Sequence, residues 1–141
     1  MTKSTAANKV KLTTRGRYAV TVMVELAKQT ETTPAPLSGI AARSDISLSY
    51  LEQLISGLRR HGLVKSYRGP GGGYVLKKAA NDIVISEILI AAEDITPAKR
   101  NKIKKPTCDT SIVLWNHIEE FLYTKLKDMT LADVVNDRIS E

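Results

Sequence analysis

The stretch SYRGPGGGYVL, residues 66–76, decides the fold of this chain. Four glycines and a proline separate two short runs with strand character, LVKSY and YVLK, which predicts an antiparallel hairpin. A glycine-rich loop can also hold the phosphates of a nucleotide, but the spacing excludes both common forms. No Lys-Ser or Lys-Thr pair follows Gly73, and Tyr74 stands where the dinucleotide fingerprint needs its third glycine. We therefore interpret the loop as the tip of a wing.

Three helices are predicted before this hairpin. Apolar residues at spacings of three and four, together with breaks at TETTPAP and SDIS, place them at 13–28, 37–43 and 48–61. One arc of the third helix is apolar, and its members are Leu48, Leu51, Leu54, Ile55 and Leu58. The order of helix, helix, turn, helix and hairpin predicts a winged helix-turn-helix domain over residues 11–79, mainly α with a small β-hairpin wing.

The remaining chain is predicted to be a helical extension over residues 80–141. A helix in NDIVISEILIAAED is expected to be capped by Ser86 or a neighbouring residue, and a basic loop is expected over 95–109. A long helix follows at about 110–127, and a final short helix opens at Thr130. Residues 1–10 are small and polar and are predicted to be a disordered tail.

The predicted long helix is apolar over nearly half its circumference. It is either a core helix packed between two layers or the contact with a second copy, and the second alternative is favoured because DNA readers of this layout commonly bind two-fold symmetric operators. The predicted interface consists of Trp115, Ile118, Leu122 and Leu126.

Charge and cysteine content limit the class of protein. Lys and Arg number 21 against 15 Asp and Glu, so the net charge is +6, which favours double-stranded DNA over a membrane as the partner. Cys108 is the single cysteine, which excludes an intrachain disulfide and indicates a reducing, cytoplasmic compartment. No Ser/His/Asp set, carboxylate pair or metal-ligand spacing is present, so an enzyme is not expected.

The first turn and a half of the third helix is where recognition helices contact DNA. Gln53 can read adenine and Glu52 can accept from cytosine, while Ser49 or Tyr50 can bind a phosphate. Glu52 has a second interpretation, because Ser49 to Glu52 also matches the capping box S-x-x-E. On the wing, Arg68 can contact a phosphate or enter the minor groove.

Three segments, LTTRGRYAVTVMVELA, ISLSYLEQLISGLRRHGLVKSYRGPGGGYVL and MTLADVV, resemble the iron–sulfur cluster regulator group of the Rrf-type family of bacterial winged-helix transcription factors. The resemblance implies a homodimer with crossed long helices. It also implies a palindromic operator near genes of cluster assembly, iron or sulfur metabolism, or redox stress. With the charged residues Arg59 and Arg60, the expected DNA-binding set is Tyr18, Ser49, Tyr50, Glu52, Gln53, Arg59, Arg60, Arg68, Gly69 and Pro70.

The chain departs from the family pattern at the cofactor. Cluster-binding members carry three cysteines before the long helix and a histidine just inside it, whereas this chain has only Cys108, and Ile112 stands where that histidine is expected. We therefore predict no cofactor, although the resemblance leaves an iron–sulfur cluster possible. Cys108 is either a thiol redox sensor that acts with a protein partner or an incidental free thiol.

Overall fold

The computed structural model describes residues 12–29, 33–93 and 110–139. The predicted basic loop and Cys108 fall in 94–109, outside the described residues, as does the predicted tail. The elements are α1 (Thr14–Lys28), α2 (Leu37–Ser44), α3 (Leu48–Arg60), β1 (Val64–Tyr67), β2 (Gly73–Leu76), a 3₁₀ turn (Ala80–Asp82), α4 (Ile85–Ala92), α5 (Ile112–Leu126) and α6 (Leu131–Val135).

Helix α1 begins where the sequence predicts, because the Thr13 side chain accepts a hydrogen bond from the Gly16 amide and caps the helix. It packs along α4 and α6 and buries Ala19, Val22, Met23 and Leu26. Val20 and Val24 are only partly buried at the edge of this core.

Helices α2 and α3 form the predicted helix-turn-helix. Asp45 adopts a left-handed conformation (φ 58°) and ends α2, after which Ile46 is buried and α3 begins at Leu48. The predicted apolar arc of α3 is buried except at Leu48, whose side chain is 45% exposed. That prediction was wrong because Leu48 opens the helix on the outward side.

The wing is the predicted antiparallel hairpin, and in its register Val64 lies opposite Leu76 and Tyr67 opposite Gly73. A third segment adds to it. The Ala35 amide donates to the Tyr74 carbonyl, and the Tyr74 amide donates to the Ala35 carbonyl, both at 2.9 Å. The hairpin is therefore hydrogen-bonded to the residue that lies just before α2.

Helix α6, at the end of the described chain, packs against the winged domain. Thr130 and Asp133 form a capping box at the start of α6, and the hydrogen bond from the Thr130 amide lowers the pKa of the Asp133 carboxyl. Val84 pairs with Thr130 in an antiparallel bridge, so α6 is tied to the chain just before α4. Of the predicted cap positions, Ser86 itself is excluded, because it is buried inside the first turn of α4 and the nearby Val84 holds the cap position.

Helix α5 packs against the core along one side only. Its half-buried Tyr123 and Leu126 contact the core, and no residue of the helix is fully buried. Its described length and apolarity do not suffice to cross a bilayer, and the same holds for the other helices in the described ranges.

Candidate nucleic-acid interface

The outward face of α3 is polar and open. Ser49, Glu52 and Gln53 are exposed, and they lie opposite the side that buries Leu51 and Leu58. A helix that follows a short turn and presents polar side chains from its first turns has the geometry that enters the major groove. The fold therefore exposes together Glu52 and Gln53, the two predicted base readers, and Ser49, a predicted phosphate contact.

The structure decides between the two interpretations of Glu52. The cap of α3 is Ser47, whose side chain accepts a hydrogen bond from the Tyr50 amide, so Ser49 lies inside the helix and Glu52 is beyond its first turn. The interpretation of Ser49 to Glu52 as a capping box was wrong. Ile46, just before the cap, and Leu51 are both buried in the core, which is the staple pattern that fixes a helix start.

We expect Glu52→Ala to leave the melting temperature unchanged and to alter the DNA sequence preference, because its carboxylate caps nothing. Ser47→Ala is the matched control, and loss of that cap should cost about 1 kcal/mol of unfolding free energy without changing the preferred sequence. Thermal unfolding and selection from a random DNA pool measure the two effects. A lower melting temperature for Glu52→Ala with unchanged preference would contradict this assignment.

Tyr18 lies beside the recognition helix. Its ring meets the ring of Tyr50 edge to face, with centroids 5.6 Å apart and an angle of 89° between the planes. Such a pair stabilises by about 0.5–1.5 kcal/mol beyond the burial of its area. Tyr18 thus braces the flank of α3 that carries Tyr50, and it is itself partly exposed to solvent.

The tip of the wing is a tight turn. The Gly72 amide donates to the Gly69 carbonyl at 2.9 Å, and Gly71 has a φ of +76°. Proline at the second position and a left-handed glycine at the third are typical of a type II turn. The turn leaves Arg68, Gly69 and Pro70 exposed, as the wing prediction requires.

One pair of residues on this surface was missed by sequence reasoning. Lys65 places its ammonium 5.5 Å from the centroid of the Tyr67 ring, and both residues are exposed on β1. Alternation along the strand puts them on one side of the hairpin, which could have been seen from the sequence. At the other end of α3, Arg59 and Arg60 are exposed, and Arg60 donates to the Ser56 hydroxyl at 2.6 Å.

A second open surface lies on α5. Ile118 is 37% exposed, Leu114 is 53% exposed and Phe121 is 68% exposed. At about 100° per residue these three side chains fall on one arc, which continues to Leu122 and Trp115. Leu114 and Phe121 were not in the predicted interface, whereas Leu126, which was, packs partly against its own core. We define this arc (Leu114, Trp115, Ile118, Phe121 and Leu122) as the α5 face.

This chain is similar in sequence and structure to known transcriptional regulators. The Rrf2 family, described as an iron-dependent transcriptional regulator, matches residues 12–137. The helix-turn-helix transcriptional regulator IscR of Klebsiella pneumoniae is 45% identical over 134 residues, which cover 92% of this chain and 82% of the relative. Among solved structures, T. potens IscR has a TM-score of 0.72 at 35% identity, covering 92% of this chain and 89% of that one. CymR, the global cysteine regulator of B. subtilis, has a TM-score of 0.70 at 37% identity, covering 91% and 98%.

Proposed function

Since the chain belongs to the Rrf2 family of transcriptional regulators, we propose that it binds a palindromic DNA operator as a homodimer. In this proposal α3 reads base edges in the major groove and the wing contacts the DNA backbone or the minor groove. The observation that carries it is the open polar face of α3, which lies beside an exposed arginine at the tip of a rigid wing.

Charge supports a DNA partner. The chain carries a net charge of +6, and Arg59, Arg60 and Arg68 are exposed at the far end of α3 and on the wing. Arginine at such positions binds phosphate oxygens and fixes the orientation of a protein on the duplex. Ser49 and Gln53 are exposed in the first turns of α3, where a polar side chain can donate to and accept from a base edge.

The α5 face supports the homodimer. Its apolar side chains are exposed in a single chain, and contiguous apolar surface of this kind is typical of protein–protein contacts. A second copy related by a two-fold axis would cover the same face on both chains and would present two recognition helices to a two-fold operator. The alternative is a protein-interaction module that kept only the winged-helix shell, and the similarity to the regulators IscR and CymR does not favour it.

The functions of the relatives indicate which genes this protein regulates. CymR is the global cysteine regulator of B. subtilis, and the resemblance to IscR implies iron–sulfur genes, so we propose control of iron–sulfur, sulfur or cysteine, or redox-stress genes. Genome-wide mapping of the bound sites tests this assignment.

Salt-dependent DNA binding by two variants tests the roles of helix and wing. Arg68→Ala should weaken binding to all sequences and reduce the salt slope, because a phosphate contact releases counterions. Gln53→Ala should instead cost about 1–3 kcal/mol at one base pair and relax the preference there. Equal weakening on every sequence by Gln53→Ala would contradict base readout, and binding without salt dependence in the unaltered protein would refute the DNA proposal.

The Rrf2 family is iron-dependent, which raises the question of whether this chain has the ligands for an iron–sulfur cluster. A cluster generally needs about four protein ligands, mostly thiolates. The chain has one cysteine, and the described ranges contain no group of three or more His, Cys, Asp or Glu that could hold a metal ion. Ile112, where the resemblance implies a histidine, is an exposed apolar residue at the first turn of α5. These residues do not fit a cluster of the family kind.

We expect anaerobic reconstitution with iron and sulfide to leave the protein colourless and able to bind its operator, because the ligands are too few. Visible absorption, iron analysis and DNA binding measure this. A brown protein with stoichiometric iron that is lost in Cys108→Ala would contradict it.

A further inference from the structure

The end of α4 is hydrogen-bonded to the start of α1. Glu93 caps the C-terminus of α4, and its carboxylate accepts a hydrogen bond from the Thr13 hydroxyl. The same hydroxyl accepts from the Gly16 amide at 3.0 Å, as the cap of α1. One oxygen atom therefore joins the two helices, and both side chains are half-buried.

Electrostatics favour a carboxylate at this place. The N-terminus of a helix carries a partial positive charge, and α1 has no acidic residue in its first turn. Arg15 adds a positive charge to that turn. Glu93 thus supplies, from another helix, the negative charge that the start of α1 lacks.

The first turns of α1 also carry the contact with α3. Tyr18 follows the Thr13 cap by five residues, which is about 7.5 Å along a helix, and its ring meets Tyr50 edge to face. Tyr50 lies in the first turn of α3, next to Ser49 and at the opposite end of the helix from Arg60. A displacement of the start of α1 would therefore move the ring that braces the recognition helix.

We propose that Glu93 is a positioning residue for the recognition helix. It holds Thr13, Thr13 fixes the start of α1, and Tyr18 transmits that position to Tyr50 and the α3 residues that read DNA. The expected effect on DNA binding rests on the proposed DNA function, but the Tyr18–Tyr50 contact can be measured without DNA.

The test compares Glu93→Ala with Glu93→Gln, which keeps an acceptor oxygen and loses the charge. Glu25→Ala is the matched control, since Glu25 ties α1 to Arg43 of α2 at 2.9 Å without involving the Thr13 cap. The readouts are the ring resonances of Tyr18 and Tyr50 in DNA-free protein, the melting temperature, and the Kd for a duplex that the unaltered protein selects from a random pool.

We expect Glu93→Ala to shift both ring resonances and to weaken operator binding by about fivefold, the lower end of typical coupling factors. Glu93→Gln should restore most of both, and Glu25→Ala should leave both unchanged. A variant that only lowers the melting temperature, with unchanged rings and Kd, would overturn the proposal and leave Glu93 a helix cap.

Two further outcomes are distinguishable. If the unaltered protein selects no duplex, the DNA function fails, and shifted ring resonances alone still support the coupling. If Glu93→Ala does not fold, Thr13→Val compared with Thr13→Ser replaces it, because serine keeps the hydroxyl. Unshifted rings in Thr13→Val would overturn the proposal.

Discussion

Replacing Gly73 by alanine is expected to detach the wing and to abolish tight DNA binding. A β-carbon built on Gly73 lies 2.5 Å from both the carbonyl carbon and the oxygen of Ala35, and these are backbone atoms that cannot rotate away. The two hydrogen bonds between Ala35 and Tyr74 must then lengthen or break. Overpacking costs about 1–3 kcal/mol, and each lost hydrogen bond costs about 0.5–1.5 kcal/mol.

We therefore expect Gly73→Ala to lose about 2–4 kcal/mol of unfolding free energy in urea, and to weaken operator binding at least about tenfold because Arg68 is no longer held in place. Gly71→Ala is the matched control in the same loop. Gly71 has a φ of +76° and nothing within 4 Å of an added β-carbon, so it should cost only about 1 kcal/mol. Equal losses for the two variants would show that the contact with Ala35 does not hold the wing.

Replacing Ile118 by glutamate is expected to give monomers that have lost tight operator binding. Ile118 lies in the middle of the α5 face and is 37% exposed in the single chain, so a charge there is tolerated by the protomer. In the proposed dimer the same carboxylate would be buried against its own symmetry mate. Loss of the second half-site should weaken operator binding by about 100-fold or more, because linked half-sites gain that much from effective concentration.

Val113→Glu is the control for this experiment. Val113 is 72% exposed on the same helix and lies about 140° round from Ile118, outside the α5 face. We expect this variant to remain a dimer by sedimentation and to bind the operator normally. A monomeric unaltered protein at micromolar concentration would contradict the dimer, and loss of dimer in Val113→Glu alone would place the interface on another side of α5.

Local patterns predicted most of the winged domain. The wing could be predicted because proline fixes φ and glycine permits the positive φ that a tight turn needs. The buried side of α3 could be predicted because apolar spacing is a property of one helix. The start of α3 was harder, since Ser47 and Ser49 are both plausible caps. Only the burial of Ile46 and Leu51 on either side of Ser47 selects the first of them.

The remaining errors come from contacts between distant residues. Ala35 lies between two prolines and was predicted to be part of a break, yet it pairs with Tyr74 across the fold. A single bridge of this kind has no local sequence pattern. The apolar residues of α5 likewise could not be divided in advance between those that contact their own core, such as Tyr123, and those left open, such as Phe121.

The pairing of Ala35 with Tyr74 has a mechanical consequence. It joins the hairpin by hydrogen bonds to Ala35, which precedes α2. The distance from the polar face of α3 to Arg68 is therefore set by the protein before a duplex binds. Because this distance is fixed, a duplex whose groove spacing differs from it must be bent or have a groove widened to bind. The elastic energy of that deformation depends on the base steps of the duplex. We expect base composition at positions that no side chain touches to influence affinity, most strongly between the sites of α3 and the wing.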